Sequence, residues 1–223
     1  MKVITIVSGG MDSAVLATHL AERKYEQHLL SFNYGQRHVK ELEYAFYLSA
    51  KLACQYDVVD LTSLKRLLAG SALTDNIVVP DGHYTDESMK ATIVPNRNAI
   101  MLSIAYAVAV AENASYVAYG AHAGDHAIYP DCRPSFVERF QAMEHVAAGS
   151  TILLKTPFLY LTKADIVKEG HRLGVDFAAT WSCYKGGEIH CGTCGTCVER
   201  REAFHLAGVE DPTTYQVVED VHS

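Results

Sequence analysis

Two groups of residues in this sequence have types and spacing suited to chemistry. The first is Ser8-Gly9-Gly10-Met11-Asp12-Ser13, directly after the apolar, β-branched run Val3-Ile4-Thr5-Ile6-Val7. A strand-like run that breaks into Gly-Gly and resumes as a helix-like segment reads as strand, loop and helix. The glycines let backbone N–H groups converge on one point. The helix adds unpaired N–H groups and the positive end of its dipole. Together these make an anion site, suited to phosphates. The loop lacks the Lys-Ser/Thr ending of a Walker A loop, so it is not an ordinary P-loop. A tight βα turn that binds nothing is the plainer alternative. Asp12 would repel phosphate unless Mg²⁺ lay between them; otherwise it is a helix cap.

The second group is Cys183, Cys191, Cys194 and Cys197, four of the six cysteines within fifteen residues. Zn²⁺ takes four thiolates tetrahedrally, and a Cys-x₂-Cys turn places two of them on one ion. An iron–sulfur cluster uses similar spacing and is the competing reading. A four-thiolate zinc has no open position, so the expectation is one structural Zn²⁺ per chain, tying the C-terminal tail over the sheet edge. Gly192 and Gly195 follow ligand cysteines, where the chain must turn tightly. Cys54 reads as a core residue within a helix, and Cys132 as a loop thiol that is inert without an activating base.

The elements that must position these groups alternate between strand and helix. Residues 13–23 form a helix with Val15, Leu16, His19 and Leu20 on one stripe, and 28–32 a second strand. Residues 39–52 form a helix that buries Leu42, Ala45, Phe46, Ser49 and Ala53, and 56–60 a third strand. Residues 70–91 read as a long excursion from the core. Residues 99–112 are apolar almost all round and read as a buried helix, followed by a strand at 116–119. A helix at 136–147 carries a stripe of Phe136, Phe140, Met143 and Val146, and 152–156 is the last core strand. Thr162-Lys163-Ala164-Asp165 is a capping box with Asp for Glu. This alternation predicts an α/β fold with a parallel sheet covered by helices.

Such sheets bind ligands beyond the carboxyl ends of their strands. The loops after Val7, Phe32, Tyr119 and Thr156 are therefore expected to meet. They would bring Ser8, Ser13 and the Gly9-Gly10 backbone to a pyrophosphate. Lys163 would reach the phosphates as a point charge, or else be a solvated surface lysine. Arg97 suits a carboxylate or phosphate. Asp125, Asp131 and Arg133 lie in a Gly/Pro-rich stretch that reads as a substrate loop. His122 and His126 receive no role.

The 223 residues, 49% hydrophobic, suit one α/β domain with a small appendage. Residues 1–180 are expected to form the main domain, and 181–223 a zinc-binding segment packed on it. The net charge of −7 argues against a surface that binds nucleic acid nonspecifically. The apolar stretch at 99–111 is short for a membrane span and the first residues are already strand-like, so no membrane partner and a cytoplasmic location are expected.

The loop Ser8-Gly9-Gly10-Met11-Asp12-Ser13 resembles the PP-loop of the N-type ATP pyrophosphatases. Further stretches narrow this: Phe32-Asn33-Tyr34-Gly35-Gln36-Arg37-His38, Val94-Pro95-Asn96-Arg97-Asn98, Tyr129-Pro130-Asp131-Cys132-Arg133-Pro134, Trp181-Ser182-Cys183-Tyr184 and Asp211-Pro212-Thr213-Thr214-Tyr215. With the cysteine cluster, they make nearly the whole chain similar to the 7-cyano-7-deazaguanine synthase family of queuosine-precursor biosynthesis. Asn96, where many members have Gly, and Asp165, where Glu is usual, are departures. The resemblance implies a Rossmann-like, adenine nucleotide alpha hydrolase-like domain with a C-terminal four-cysteine zinc knuckle. It implies an ATP-dependent carbon–nitrogen ligase that turns 7-carboxy-7-deazaguanine and ammonia into the nitrile through adenylated carboxylate and amide. ATP would lie on Val7-Ser8-Gly9-Gly10-Met11-Asp12-Ser13-Ala14-Val15-Leu16-Ala17, with Mg²⁺, and with Asp12, Ser13 and Lys163 catalytic. Arg97, Asp125, Asp131 and Arg133 would hold the deazaguanine and its carboxylate. No nucleic-acid partner is implied, and a homodimer is left open. The alternatives are a PP-loop tRNA-modifying sulfurtransferase or ligase, which this short acidic chain does not suit, and a non-catalytic nucleotide-binding protein.

Overall fold

The computed structural model describes residues 1–82, 89–149 and 151–217. Five parallel strands form one sheet in the order β3-β2-β1-β4-β5. They are β1 (Lys2–Ile6), β2 (Glu26–Asn33), β3 (Gln55–Asp60), β4 (Tyr116–Ala118) and β5 (Leu153–Lys155). Val3 pairs with Gln27 on one side and Tyr116 on the other, so β1 is central. The chain moves outward from β1 through β2 to β3, then returns to build β4 and β5 on the opposite side. The direction reverses between β1 and β4, and a crevice opens there beyond their carboxyl ends.

The alternation of side chains along the strands sorts the core into two faces. Ile4, Leu30 and Phe32 point to α3 (Arg97–Ala111) and α4 (Pro134–Ala147), where they meet Leu102, Tyr106 and Phe140. Val3 and Ala118 point the other way, to α1 (Met11–Glu22), α5 (Lys163–Arg172) and α6 (Gly195–Ala207). Val7 and Leu29 meet Ala14 of α1 and Ala45 of α2 (Glu41–Leu52). Two polar side chains buried within the sheet are paired: Thr5 Oγ1 donates to Gln27 Oε1 at 3.0 Å, and Ser31 Oγ to the Val7 carbonyl at 2.7 Å.

Several elements depart from the sequence pattern. In α2 the buried residues are Glu41, Ala45, Leu48 and Ser49, while Phe46 is 62% exposed. In α4 Phe140 is buried, but Met143 and Val146 face solvent and Glu144 is buried instead. α3 covers only one sheet face, so Met101, Leu102, Ala105, Tyr106 and Ala109 are buried while Ser103, Ala107 and Val110 are exposed. Lys90–Ala111, with the turn before α3, is long and apolar enough to cross a bilayer, yet here it supplies the helix that packs on β1. Cys54 lies outside the helix: Ala53 adopts φ +50 and ends α2, and Cys54 is half-buried before β3. Of the expected excursion at 70–91, residues 83–88 lie outside the described residues. Ser71, Ala72, Leu73 and Thr74 are buried core rather than surface loop.

Candidate functional site

The phosphate-type loop is rigid before any ligand arrives. Gly9 has φ +80, and a Cβ there would collide with the Glu41 carbonyl at the start of α2. Ser13 Oγ donates to the Gly10 carbonyl at 3.0 Å and accepts the Ser8 N–H at 3.2 Å. Ser8 Oγ accepts the Gly10 N–H at 3.3 Å. The loop therefore ties its own hydroxyls down and leaves the first turn of α1 facing the crevice. One pocket lies there. Its walls include Val7, Ser8, Gly10, Met11, Asp12 and Ser13, with Gly9 behind them. Of the remaining stretch, Ala14, Val15, Leu16 and Ala17 are buried core residues of α1 that do not line the pocket.

Beside the loop stands a charged cluster. Thr162 caps α5 in a complete capping box with Asp165, which sets Lys163 as the first helical residue. Lys163 Nζ lies 2.5 Å from Glu199 Oε2 and 3.5 Å from Asp12 Oδ2. Burial opposes the charge on Lys163, but Asp12 and Glu199 outweigh it and hold its pKa above the ordinary value. Burial raises the Glu199 carboxyl, against the pull of Lys163. His122 Nδ1 accepts the Gly124 N–H at 3.1 Å, so Nε2 carries the ring proton. That Nε2 lies 3.4 Å from Asp125 Oδ2 and 3.9 Å from Asp12 Oδ2. Asp12 Oδ1 is buried with no hydrogen-bond partner. An orphaned carboxylate oxygen beside a phosphate cradle fits a hard cation.

The other end of the pocket is aromatic. Arg97, the first residue of α3, is half-buried among Tyr34, Tyr184 and Tyr129. No carboxylate among the described residues lies within ion-pair distance of it; the three phenols and, farther off, Asp131 favour its charge against burial. Burial pushes the Tyr34 hydroxyl up to about 12, against the pull of Arg97. His38, Glu41, Trp181, Ser182 and Cys132 complete this end. Burial pushes the Cys132 thiol well up, and nearby Asp125 and Asp131 add to the effect, so it is not a nucleophile in this state.

Asp12, Ser13, Lys163, Arg97 and Asp125 thus share one pocket. Asp131 and Arg133 are not among its walls. Asp131 Oδ2 accepts the Asn98 N–H at 2.9 Å at the start of α3. Arg133 donates to the His126 carbonyl at 2.7 Å and the Ala127 carbonyl at 3.3 Å, outside the pocket. The sequence reading passed over Glu199 and Glu41, and it placed His38 in a ligand-edge loop without a role. Glu199 carries no signal, being one charge on an amphipathic helix. His38 and Glu41 stand in the run after β2, whose position at a strand's carboxyl end was the available clue.

The four cysteines converge as expected of a metal site. Cys183, Cys194 and Cys197 are fully buried and Cys191 nearly so. Their sulfurs all lie within 4.8 Å of one another, and Cys191 and Cys197 Sγ are 3.9 Å apart. The Thr193 and Cys194 N–H groups point at Cys191 Sγ at 3.4 and 3.3 Å. Gly192 makes the turn at φ +84, where a Cβ would strike the Val217 carbonyl. The knuckle reaches the phosphate loop through Trp181, whose N–H donates to the Gly9 carbonyl at 2.9 Å and whose Nε1 donates to the Cys183 carbonyl at 2.9 Å. Arg200, fully buried in α6, holds the same segment by donating to Thr180 Oγ1, Ser182 Oγ and the Phe177 carbonyl.

The model of the family described as queuosine biosynthesis protein QueC matches residues 2–208. A 7-cyano-7-deazaguanine synthase of Brucella anthropi is 56% identical over 97% of this chain and 94% of its own length. One of Rhizobium meliloti is 57% identical over 96% and 92%. Among solved structures, an NMN synthetase from Francisella tularensis aligns at 17% identity and TM-score 0.55, over 93% of this chain and 77% of that one. A 4-thiouridine synthetase solved with RNA and bound ATP aligns at 16% identity and TM-score 0.54, over 93% and 50%. These last two are likenesses of fold alone, so they do not favour a tRNA substrate. They set the architecture as that of the PP-loop, adenine nucleotide alpha hydrolase-like proteins.

Proposed function

The chain belongs to the queuosine biosynthesis protein QueC family, an ATP-dependent ligase family that makes 7-cyano-7-deazaguanine, and from that premise we propose how its pocket does so. The observation that carries the reading is the joining of two halves in one pocket. An anion cradle with Lys163 and Asp12 stands at one end, and an enclosed Arg97 ringed by tyrosines stands at the other.

ATP binds with its phosphates on the Ser8–Ser13 loop, and Val7–Ala17 forms the strand-to-helix unit that holds it. Ser8 and Ser13 fix the cradle, and Lys163 leaves Glu199 for the phosphates as charge builds there. The 7-carboxy-7-deazaguanine enters at the aromatic end, where Arg97 takes its carboxylate. A carboxylate oxygen attacks the α-phosphorus, and the bond to pyrophosphate breaks. Ammonia attacks the acyl carbon, and AMP leaves with the carboxylate oxygen, giving an amide. The amide oxygen attacks a second ATP in the same way. Loss of AMP with the remaining nitrogen protons leaves the nitrile. The protein's part is positioning and charge stabilisation. Mg²⁺, held by Asp12 Oδ1, would offset phosphate charge. Asp125 is oriented by His122, while Asp131 and Arg133 shape the loop that carries it.

The cysteine site holds one structural zinc. Zn–S bonds of ~2.3 Å place tetrahedral sulfurs ~3.8 Å apart, close to the spacing here. A [4Fe–4S] cluster binds each thiolate to a different iron and a [2Fe–2S] cluster binds two to each iron, and either spreads the four sulfurs farther. Residues 181–223 act as a metal-bound segment on the 1–180 unit (218–223 lie outside the described residues). The enzyme works in the cytoplasm on small molecules, without nucleic-acid or membrane partners, and a homodimer is compatible with it.

The test is turnover of 7-carboxy-7-deazaguanine with ATP, Mg²⁺ and ammonium, with products read by mass spectrometry. The nitrile, AMP and pyrophosphate are expected; ADP would defeat the adenylation scheme. Asp12→Ala should abolish turnover with the fold intact, and near-normal activity would reduce Asp12 to a helix cap.

A further inference from the structure

Three carboxylates line the pocket: Asp12, Asp125 and Glu41. The first two are engaged by His122 and, for Asp12, by Lys163. Glu41 shares none of these partners, and no step above uses it. It is only 8% exposed, and no Lys or Arg among the described residues lies within ion-pair distance of it. A buried acid group without a cation is costly to keep.

Its surroundings hold it in one place. Gln36 Nε2 donates to Glu41 Oε1 at 3.0 Å and to the Phe32 carbonyl at 3.0 Å. Gln36 Oε1 accepts the Tyr34 N–H at 2.9 Å, so the amide orientation is fixed from both ends. His38 Nε2 lies 3.4 Å from Glu41 Oε2. The His38 ring packs on Tyr184 with centroids 5.2 Å apart, and its Nδ1 is buried without a partner. Each carboxylate oxygen has two lone pairs, so both Glu41 oxygens keep an acceptor site after these contacts. Glu41 also opens α2, where the helix dipole favours negative charge. Burial raises its pKa and Arg97 opposes that rise, so donors from a ligand would act in the same direction as Arg97.

Two adjacent acceptors match two adjacent N–H donors. Adenine offers a donor beside an acceptor on its pairing edge, whereas a guanine-type ring offers N1–H beside the 2-amino group. The geometry points to Glu41 as the specificity-determining residue that reads the N1–H and 2-amino group of the 7-deazaguanine ring, with Arg97 on the neighbouring O6 and C7-carboxylate edge. This rests on the functional reading above. Arginine commonly meets guanine at O6 and N7; position 7 is carbon in this ring, and its carboxylate takes the place of N7 as the second acceptor. Gln36 and His38 are positioning residues, acting through Glu41.

The test compares 7-carboxy-7-deazaguanine with its analogue lacking the 2-amino group, on the wild-type enzyme and on Glu41→Gln. Wild type should use the analogue about 30-fold less well in kcat/KM, from loss of one charge-assisted hydrogen bond. Glu41→Gln should lose that discrimination and raise the KM for the acid by a similar factor, while the KM for ATP stays within about twofold. Equal use of both compounds by wild type overturns the assignment, whether or not the variant folds. So does a variant that keeps the discrimination, or one whose two KM values rise together. If wild type turns over neither compound, the functional reading itself has failed, and the two failures are thereby distinct.

Discussion

At the scale of single residues, the pocket sets neighbouring groups against each other. Burial raises Glu41 from 4.5 to about 8, and burial together with Arg97 lowers His38 from 6.5 to about 3. In the ligand-free chain Glu41 therefore keeps its proton and His38 stays neutral through mildly acidic pH, and N–H donors of a bound ligand, like Gln36 and Arg97, draw Glu41 back toward the carboxylate. Between pH 4.5 and 6.5 the unfolded chain has lost the Glu41 proton and gained one on His38, so the two effects on stability oppose each other. Between 6.5 and 8 only Glu41 acts: the unfolded chain binds fewer protons than the native one, and stability falls as pH rises. Glu41→Gln should remove that decline. The check is the urea midpoint of both proteins at pH 6.5 and pH 8; parallel changes would show that Glu41 is not the source. The sequence placed His38 in the run after β2 but gave it no role, and a Glu at a helix start such as Glu41 reads as an ordinary first-turn acid.

At the scale of elements, α5 shows how a local signal can place a functional group. The Thr162–Asp165 capping box was legible in four residues, and it fixes where the helix begins and hence where Lys163 points. Thr162→Ala should cost about 1 kcal/mol. For a chain of this length that is a fall of roughly 2–4 °C in Tm. A calorimetric scan checks it, and an unchanged Tm would mean that the cap adds nothing beyond packing. The helix faces were less legible. The stripe read into α2 included Phe46, and that read into α4 included Met143 and Val146, yet all three are exposed. Periodicity gives a helix its stripe, but which edge of that stripe meets the sheet is set by crossing angle and by neighbours. α3 has no polar face in sequence, and its single buried side follows from having only one sheet face to cover.

At the scale of the molecule, the C-terminal segment links the metal site to the phosphate loop. The chain's single Trp, Trp181, is stacked on His190 at 4.4 Å and donates to the Gly9 carbonyl. Elemental analysis should find one zinc per chain. Stripping it with a strong chelator should shift Trp181 fluorescence to the red and weaken ATP binding, while the far-ultraviolet dichroism of the sheet and its helices persists. Iron in place of zinc, or loss of metal with fluorescence and ATP affinity unchanged, would overturn the assignment or the linkage respectively. The sequence by itself determined the alternation of strand and helix, the phosphate-type loop, the capping box and the four-cysteine cluster. Each is a local pattern, enforced by backbone chemistry or by ligand spacing within a few residues. Only the tertiary structure decided which charges share the pocket. It brought Glu199 from α6 to Lys163, enclosed Arg97 with tyrosines from separate segments, and turned Asp131 and Arg133 to holding the chain. Strand order and helix packing create those neighbours across long stretches of sequence, and no spacing along the chain records them.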